Sequence, residues 1–503
     1  MNTDNQLSGN NTSIPLVRSL DENIEQFQKL FQGDDTFISR FFSNQDSAKP
    51  RFCILYIDGM VDADIANQYI IQPLVQCSLP KGSERNMDII LKQVVLSNKA
   101  EKLCDVSEII KRILRGESAL FMDGSNEVIL VSTRDLRARS IQEPINEQVM
   151  RGPREGFVEP ILVNLSLIRR KLATPNLKFV SRELGRYTKT RIFVCYLDGV
   201  VNHQILDEVF IRLNKIDIDG ILDSGNIAEL IMDAPYSPFE TIGITERPDI
   251  AAADLLEGRI VILVDGTPVA LTIPFLFEEY FQTDDDYYIN FYFSSFNRIL
   301  RYLSFFLTIA SPGIYVAMLT FHHEMIPSPL LFSISAAREG VPFPTIVETI
   351  GLLFVFEIMR EVGLRVPITI GQTISILGAL VLGTAAVEAR IVSAPVIILV
   401  AITGLTGLIT PRIKTPVIII RFILTLMAGF LGLYGVLFGM IAMFLHLCSL
   451  RSFGVPFMMA FTSLRPEDIK DSVIRAPLWL MKKRPRFISG RNRTRKGDRS
   501  KSS

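Results

Sequence analysis

Long apolar segments between about residues 299 and 450 constrain the fold of this chain most, because such segments need a membrane or a large buried core. Charged residues concentrate in the first 290 and last 40 positions, so the formal net charge of zero describes neither part. Arg298 and Arg301 precede a first segment, Tyr302–Phe321, that is long enough to cross ~30 Å of hydrocarbon. Further candidate spans are Thr345–Met359, Ile368–Val387 and Pro395–Ile409. We therefore predict an all-α polytopic membrane domain over residues 291–450.

The last apolar run, Val417–Leu450, is too long for one upright helix. It predicts either one strongly tilted helix or two short helices broken near Gly429–Gly435. Cytoplasmic loops carry an excess of Lys and Arg, which places the start of the first span and the basic tail inside. The same rule marks later inside loops at Arg360, Arg365, Arg412, Lys414 and Arg421. If both ends of the membrane domain lie inside, the number of membrane crossings must be even. We therefore prefer six crossings, with the last apolar run folded back, over five.

The region before residue 290 contains an internal repeat. Arg51–Val61 (RFCILYIDGMV) resembles Arg191–Val201 (RIFVCYLDGVV), and Leu114–Gly124 resembles Leu256–Gly266. The two pairs are offset by 140 and 142 residues, so order and spacing agree. Each segment has strand character and an Asp-Gly turn. We predict a soluble α+β or α/β region made of two similar tandem subdomains.

The predicted organisation follows from the repeat and the apolar runs. It comprises a polar N-terminal segment 1–47, subdomains 48–140 and 188–290, a linker 141–187 with a helix at Ile161–Leu172, the membrane domain 291–450 and a basic tail 451–503. The N-terminus has no apolar signal segment, so the soluble region is expected on the cytoplasmic side. Residues 482–501 hold ten Lys or Arg against one Asp. A solvated flank that attracts anionic lipid is favoured over a specific ligand site there.

Catalytic chemistry finds little support in the soluble region. Asp58 and Asp198 could be paired carboxylates, but no His, Lys or metal-ligand cluster accompanies them, and Asp-Gly is ordinary turn chemistry. The motifs GxGxxG, GxxxxGK[ST], HExxH and GxSxG are absent. No enzyme activity, cofactor or metal site is expected, and no basic stripe indicates nucleic-acid binding. The five cysteines form no CxxC pair, and the four in the soluble region are expected to be buried.

Ionisable residues in the predicted membrane domain carry the functional hypothesis. Such groups are expensive at membrane depth, so they face a bundle interior or a water-filled path. Arg360 and Glu361 lie near the end of their span, where reaching to water is the simpler explanation. For Glu348 and Glu357 that explanation and a pore- or partner-facing role stay open. The candidate pore- or partner-facing residues are Glu348, Glu357, Arg360, Glu361, Gln372, Thr373 and Glu388.

Several long motifs are shared with one known family. They include Arg151–Phe157, Leu256–Pro268, Phe321–Pro327, Arg338–Pro344, Arg360–Arg365 and Gly371–Ala389. On these motifs the chain resembles the A-subunit family of bacterial spore germinant receptors, the GerA family, from about Arg151 to Pro477. The family-motif residues singled out are Arg338, Glu339, Gly340, Pro342 and Pro344. Thr384 departs from the family, which commonly has Gln there.

The resemblance implies a nutrient-sensor subunit in the spore inner membrane, with the soluble region and the tail on the spore core side. It implies assembly with a transporter-like B subunit that binds nutrient, with a lipoprotein C subunit, and with further copies of the A subunit in the lipid bilayer. Nutrient binding would then open an ion path and start germination. The alternatives are a secondary transporter and an accessory spore-membrane protein for ion or dipicolinate release. A transporter should show inverted repeats in its membrane segment, whereas the repeat found here is in the soluble region.

Overall fold

The protein, described here from a computed structural model, divides into two compact units. The residues that the structure describes are 15–44, 51–77, 86–95, 99–134, 143–144, 146–366, 383–462, 471–485, 487–490 and 492–495. The first unit comprises Met1–Met232, Ile242–Pro274 and Lys483–Ser503. The second, which we call the helical unit, comprises Asp233–Thr241 and Phe275–Lys482.

Two antiparallel five-stranded sheets form the framework of the first unit. The strands of the first sheet are β1 (Phe37–Ser43), β2 (Arg51–Ile57), β3 (Ala100–Leu103), β4 (Glu117–Met122) and β5 (Val128–Ser132). Those of the second are β6 (Leu177–Leu184), β7 (Thr190–Leu197), β8 (Gly243–Thr245), β9 (Ile260–Val264) and β10 (Ala270–Ile273). The orders are β1-β2-β4-β5-β3 and β6-β7-β9-β10-β8. The identical order confirms the predicted tandem subdomains.

Helices cover these sheets. Their bounds are α1 (Leu20–Leu30), α2 (Val106–Ile113), α3 (Ile161–Lys171), α4 (His203–Asn214), α5 (Ser224–Ile231) and α6 (Pro248–Glu257). Shorter helical turns are Ala63–Ala66, Asn67–Ile71, Gln72–Gln76, Asn86–Ile89 and Ile90–Val94. Successive residues of β2 point to opposite faces, so Leu55 packs with α1 and α2 while Ile54 packs with Ile70 and Leu74 on the other face. The first sheet is therefore buried on both faces, as in an α/β layer structure.

The repeated Asp-Gly pairs form turns, which confirms the turn interpretation. Gly59 and Gly199 follow the central strands with φ angles of 78° and 79°, a region that glycine adopts without steric cost. Each preceding aspartate accepts the N–H of its own glycine, at 3.0 Å for Asp58 and 2.9 Å for Asp198. The two carboxylates are thus engaged with their own turns.

The subdomains begin earlier than residues 48 and 188. Strand β1 pairs along its whole length with β2, and β6 pairs with β7, so both belong to their sheets. The segment 1–47 likewise contains α1, which supplies the buried Ile24 and Phe27 to the first core. The repeated motifs lie on central strands, whose buried residues resemble each other. The edge strands are partly exposed and share no motif, so the repeat did not extend to them.

The cysteines of the first unit are not all buried, contrary to expectation. Cys53 and Cys195 are buried in the two sheets, and burial raises the pKa of the Cys53 thiol to about 12. Cys77 is half-buried and Cys104 is exposed. The strand cysteines fill core positions, whereas Cys104 follows the end of an edge strand.

A buried ion pair joins the two subdomains. Arg169 of α3 donates to Asp34, and both side chains are completely shielded from solvent. The guanidinium also donates to the Leu177 carbonyl at 3.2 Å and lies 4.5 Å above the Phe179 ring. Next to it, the Asp35 N–H donates to the Phe179 carbonyl at 2.9 Å. Because an unpaired charge here would cost several kcal/mol, this group fixes the junction of the two sheets.

The helical unit contains six principal helices among the described residues. Their bounds are α7 (Phe291–Thr320), α8 (Ser328–Ala337), α9 (Thr345–Arg365), α10 (Gly383–Glu388), α11 (Ala394–Leu408) and α12 (Lys414–Ser449). Two stretches, Phe291–Thr320 and Pro411–Ser449, are long and apolar enough to cross a membrane. Short helical turns lie at Phe277–Phe281, Asp285–Tyr288, His323–Met325, Pro411–Ile413 and Met459–Thr462, and a small hairpin pairs β11 (Arg451–Ser452) with β12 (Val455–Pro456).

Three of the predicted spans coincide with helices of this unit. Tyr302–Phe321 falls largely on α7, Thr345–Met359 on α9 and Pro395–Ile409 on α11. Most of Ile368–Val387 lies outside the described residues. Helix α8 was not predicted, because ten residues are too few to give a membrane-span signal.

The last apolar run is broken and folds back. Gly432 interrupts α12 with φ 64° and ψ −144°, a conformation that is open essentially to glycine. A Cβ atom on Gly439 would lie 2.4 Å from Leu424, and one on Gly435 would lie 2.3 Å from the Met427 carbonyl. In an unbroken helix, residues fifteen apart would be separated by ~22 Å. The structure therefore shows the two-helix alternative, an antiparallel hairpin whose first arm precedes Gly432 and whose second arm follows it.

The region predicted as a single basic tail, 451–503, divides between the two units. Residues up to Lys482 belong to the helical unit, where Ser452 and Phe457 are fully buried. The Ser452 hydroxyl donates to the Thr241 carbonyl at 2.6 Å. From Lys483 the chain belongs to the first unit. Apolar and hydroxyl side chains after residue 450 thus provide core contacts that a charge count does not predict.

We expect Gly435→Ala to destabilise the α12 hairpin. The added methyl would overlap the Met427 backbone, and overpacking of this kind costs about 1–3 kcal/mol. The melting temperature of the purified full-length chain in detergent should fall by several degrees. Gly351→Ala on α9 is the matched control, because no atom lies within 4 Å of the new methyl and alanine favours a helix. Equal melting temperatures for the two variants would contradict the folded-back arrangement.

Candidate functional site: buried ion pairs of the helical unit

Helix α9 carries two carboxylates that the structure places in separate polar groups. Glu348 lies in its first turn and Glu357 nine residues later, ~14 Å further along the axis. Neither is free: each contacts cationic or N–H groups from elements distant in sequence. We call the two sets the Glu348 group and the Glu357 group.

The Glu348 group collects residues from the family motif that begins at Arg338. The Glu348 side chain is fully buried and accepts the N–H of Ser393, the residue before α11. Its other oxygen lies 3.7 Å from Nε of Arg338. Gly340, with φ 88°, lets Arg390 approach so closely that a Cβ atom would lie 2.9 Å from its side chain. This explains why arginine and glycine occupy these motif positions.

Two polar atoms of the Glu348 group, Oε2 of Glu348 and Nε of Arg338, have no hydrogen-bond partner among the described residues. Unsatisfied buried polar atoms are rare and cost about 1–3 kcal/mol each. The Glu357 group contains such atoms as well, namely Oε2 of Glu357 and the Nε atoms of Arg360 and Arg421. Both groups therefore leave part of their hydrogen-bonding capacity unused.

The Glu357 group is an Arg-Glu-Arg triad. One oxygen of Glu357 accepts from Arg421 on the first arm of α12, and the other pairs with Arg360 one turn along α9. Arg421 is 2% exposed and Glu357 13%, so the pair is largely shielded from water. Two guanidinium groups face one carboxylate, which leaves an excess positive charge. The side chain of Lys414 also interacts electrostatically with Arg360 and Glu357.

Arg421 is a member of this group that the charge pattern does not identify. That pattern predicts an inside loop at Arg421, whereas the residue lies within α12, packed against α9. The signal that could have found it is its position inside the apolar run Val417–Leu450. A charged residue within such a run requires a partner on a neighbouring helix.

The remaining candidates lie apart from these groups. Glu361 pairs with Arg365 at 2.7 Å on the helix surface, and both side chains are more than half exposed. Glu388 is exposed at the end of α10. Gln372 and Thr373 lie outside the described residues. Glu339, Pro342 and Pro344 are exposed in the segment before α9.

A third charged group lies at the start of α7. Asp286 accepts from Arg298 at 2.8 Å and from Arg301 at 2.8 Å, and Arg298 also pairs with Asp471 at 2.7 Å. Burial raises the pKa of Asp286, but the hydrogen bonds and charges of Arg301 and Arg298 outweigh it, so that pKa lies below its ordinary value. Arg298 and Arg301, whose positive charges predict the orientation of the first span, thus also join α7 to the preceding helical turn through Asp286.

Comparison with known proteins identifies the family. The model of the Bacillus/Clostridium GerA spore germination protein family matches residues 25–487. The chain belongs to the GerA family. This confirms the resemblance inferred from the motifs, and the match extends well before Arg151, over the loosely similar first part.

Relatives of this GerA protein cover nearly all of it. Spore germination protein KA of Bacillus subtilis (strain 168) is 41% identical over 482 residues, which is 95% of this chain and 88% of that protein. The uncharacterized membrane protein YfkQ of the same organism is 39% identical over 486 residues, 96% of this chain and 94% of that protein. Spore germination protein GerLA of Bacillus cereus is 34% identical over 446 residues, 88% of this chain and 90% of that protein.

One solved structure is similar to this GerA protein over its first part. The crystal structure of the N-terminal domain of the A subunit of the Bacillus megaterium spore germinant receptor GerK3 shares 32% identity and a TM-score of 0.43. It covers 53% of this chain and 98% of that chain. The chain is thus a membrane protein of the spore germination family, with a duplicated soluble region and an apolar helical region.

We expect Glu357 and Arg421 to be energetically coupled. Glu357→Gln leaves Arg421 buried without its carboxylate, at a cost of ~3–5 kcal/mol, whereas Arg421→Gln leaves Glu357 paired with Arg360, and removing both charges relieves the penalty. The melting temperature of the full-length chain in detergent should therefore fall more for Glu357→Gln than for the double variant of Glu357→Gln and Arg421→Gln. The exposed Glu361 and Arg365 pair provides the control cycle and should show little coupling. Strictly additive losses at Glu357 and Arg421 would contradict the triad.

Proposed function

We propose that this chain is the A subunit of a nutrient germinant receptor in the spore inner membrane and forms the ion path of that receptor. It assembles with further copies of itself, with a transporter-like B subunit that binds nutrient and with a lipoprotein C subunit. The soluble region and the C-terminal tail face the spore core. Nutrient binding to the partner opens the path, and the released ions start germination. Membership of the GerA family supports the receptor role.

The observation that carries the ion path is the Glu357 group. Removing two guanidiniums and a carboxylate from water costs several kcal/mol for each ion, and this is an inefficient way to hold helices together. Ionisable residues in membrane helices typically mark ion or proton pathways. Helix α9 also carries five charged residues within 21, Glu348, Glu357, Arg360, Glu361 and Arg365, which is poorly suited to contact with lipid.

The geometry supports a gating step between α9 and α12. In the described state both oxygens of Glu357 are occupied by guanidiniums, so the carboxylate is neutralised and cannot attract a cation. A shift of α9 relative to the first arm of α12 would separate Glu357 from Arg421. Glu357 would then be paired with Arg360 alone, and loss of the excess positive charge beside it would lower the electrostatic barrier to cation entry in a site of low dielectric constant. The buried pair therefore serves as the closed-state contact.

We expect Glu357→Gln to alter ion release from spores. Gln keeps the shape of the side chain and removes the charge, so cation release after nutrient addition should change by about ten-fold or more, which corresponds to ~1.4 kcal/mol in the opening equilibrium. The measurement is cation release from spores that carry equal amounts of receptor by immunoblot. Glu361→Gln, one turn away and exposed, is the matched control and should behave as the parent. Unchanged release in both Glu357→Gln and Glu348→Gln spores would refute the proposal.

A further inference from the structure

The basic segment at the C-terminus contacts the second soluble subdomain through main-chain hydrogen bonds. Ser489 forms an antiparallel bridge with Val201, in the turn that follows β7. The N–H of Gly490 donates to the Val200 carbonyl at 2.7 Å, and the Asn202 side chain donates to the Phe487 carbonyl at 3.4 Å. Main-chain bonds of this kind are the ordinary way in which a sheet-like edge accepts an extended peptide.

The two ends of the C-terminal segment pair with each other, and the residue at its centre is buried. Lys483 bridges Thr494, and the Arg484 N–H donates to the Arg493 carbonyl at 2.8 Å, so its two ends pair with each other. The residue at the centre, Ile488, is completely buried. A buried isoleucine and paired ends distinguish this segment from the solvated, lipid-attracting flank that its charge alone suggested.

The end of α6 offers the C-terminal segment a carbonyl, a negative charge and a position without a side chain. Nε of Arg484 donates to the Leu256 carbonyl at 2.6 Å, and Arg495 lies 3.4 Å from Glu257. Gly258 has φ 99°, and a Cβ there would lie 2.9 Å from the Val200 carbonyl and 3.1 Å from Cα of Ser489. The end of α6 thus leaves room for this backbone. We call the position formed by Val200–Asn202 and Leu256–Gly258 the strand-acceptor site.

The first subdomain contains the same position, and there the chain fills it locally. Val61, which corresponds to Val201, bridges Arg134, two residues after the end of β5. The N–H of Asp62 donates to the Thr133 carbonyl at 2.9 Å. Gly116, the counterpart of Gly258, has φ 84°, and a Cβ there would lie 2.8 Å from the Met60 carbonyl. Both halves of the duplicated fold thus make an antiparallel bridge at this position.

The second subdomain cannot use its own chain in this way. After β10 the chain leaves the first unit at Pro274 and enters the helical unit, and it returns at Lys483. We infer that the strand-acceptor site is a docking site for the C-terminal segment Lys483–Arg495 of the same molecule. The segment takes the place of residues 133–134 of the first subdomain. The main part of the helical unit, Phe275–Lys482, then lies in the sequence between β10 and the residue that bridges Val201.

Disulfide trapping tests this inference. The Gly490 to Val200 hydrogen bond makes Val201 and Ser489 a closely spaced antiparallel pair, with Cα atoms ~4.5 Å apart, which suits a disulfide. We expect Val201→Cys with Ser489→Cys to cross-link on mild oxidation of the full-length chain in membranes, in a background without the native cysteines. The product should migrate as a single chain, and peptide mapping should join the peptides that contain positions 201 and 489. Val61→Cys with Arg134→Cys in the first subdomain is the matched control.

The alternatives give different products. Cross-linking between two differently tagged chains, each carrying one of the two cysteines, would mean that another copy supplies the segment and would overturn docking within one molecule. Cross-linking of the control pair alone would mean that the segment is not docked. Adding Gly490→Val should reduce the cross-link at least ten-fold, because its Cβ would lie 2.4 Å from the Val201 carbonyl, and should leave the control pair unaffected. Unreduced cross-linking in that variant would contradict the strand geometry.

Discussion

A guanidinium group buried among apolar helices is tolerated only beside a carboxylate, because the unpaired charge costs several kcal/mol. Arg421 is such a group, and Glu357 neutralises it. This pair fixes which face of α9 meets the first arm of α12. The break at Gly432 then returns the second arm along the first, where small residues such as Gly435 and Gly439 allow close backbone contact. One desolvated ion pair thus sets the contact between α9 and α12.

Local sequence patterns predicted the parts of the fold that depend on neighbouring residues. The strand and Asp-Gly motifs revealed the duplication, because buried central strands keep their composition and turns with positive φ keep glycine. Glu348 and Glu357 could be identified from the sequence because a charged side chain is costly in an apolar helix. Their partners did not, since Arg421 is 64 residues from Glu357 and Ser393 is 45 from Glu348. Pairing across such distances depends on how helices pack, which a single sequence does not reveal.

The two halves of the soluble region share one fold and differ in one long-range contact. Both halves have the same strand order and the same glycine at the end of a helix, Gly116 and Gly258. They differ in which residue bridges the valine after the Asp-Gly turn: Arg134 follows shortly after β5 in the first half, and Ser489 comes from the C-terminal segment in the second. Net charge favoured a solvated flank that attracts anionic lipid, and charge alone does not predict that Ile488 within the segment is completely buried.

The proposed ion path controlled by Glu357 can be tested by the current across a planar lipid bilayer that contains the purified receptor, with this chain as the only altered subunit. We expect nutrient-dependent single-channel currents, with a cation selectivity or open probability that changes in Glu357→Gln and not in Glu361→Gln. A receptor that binds nutrient but gives no current, or currents identical in all three proteins, would contradict it.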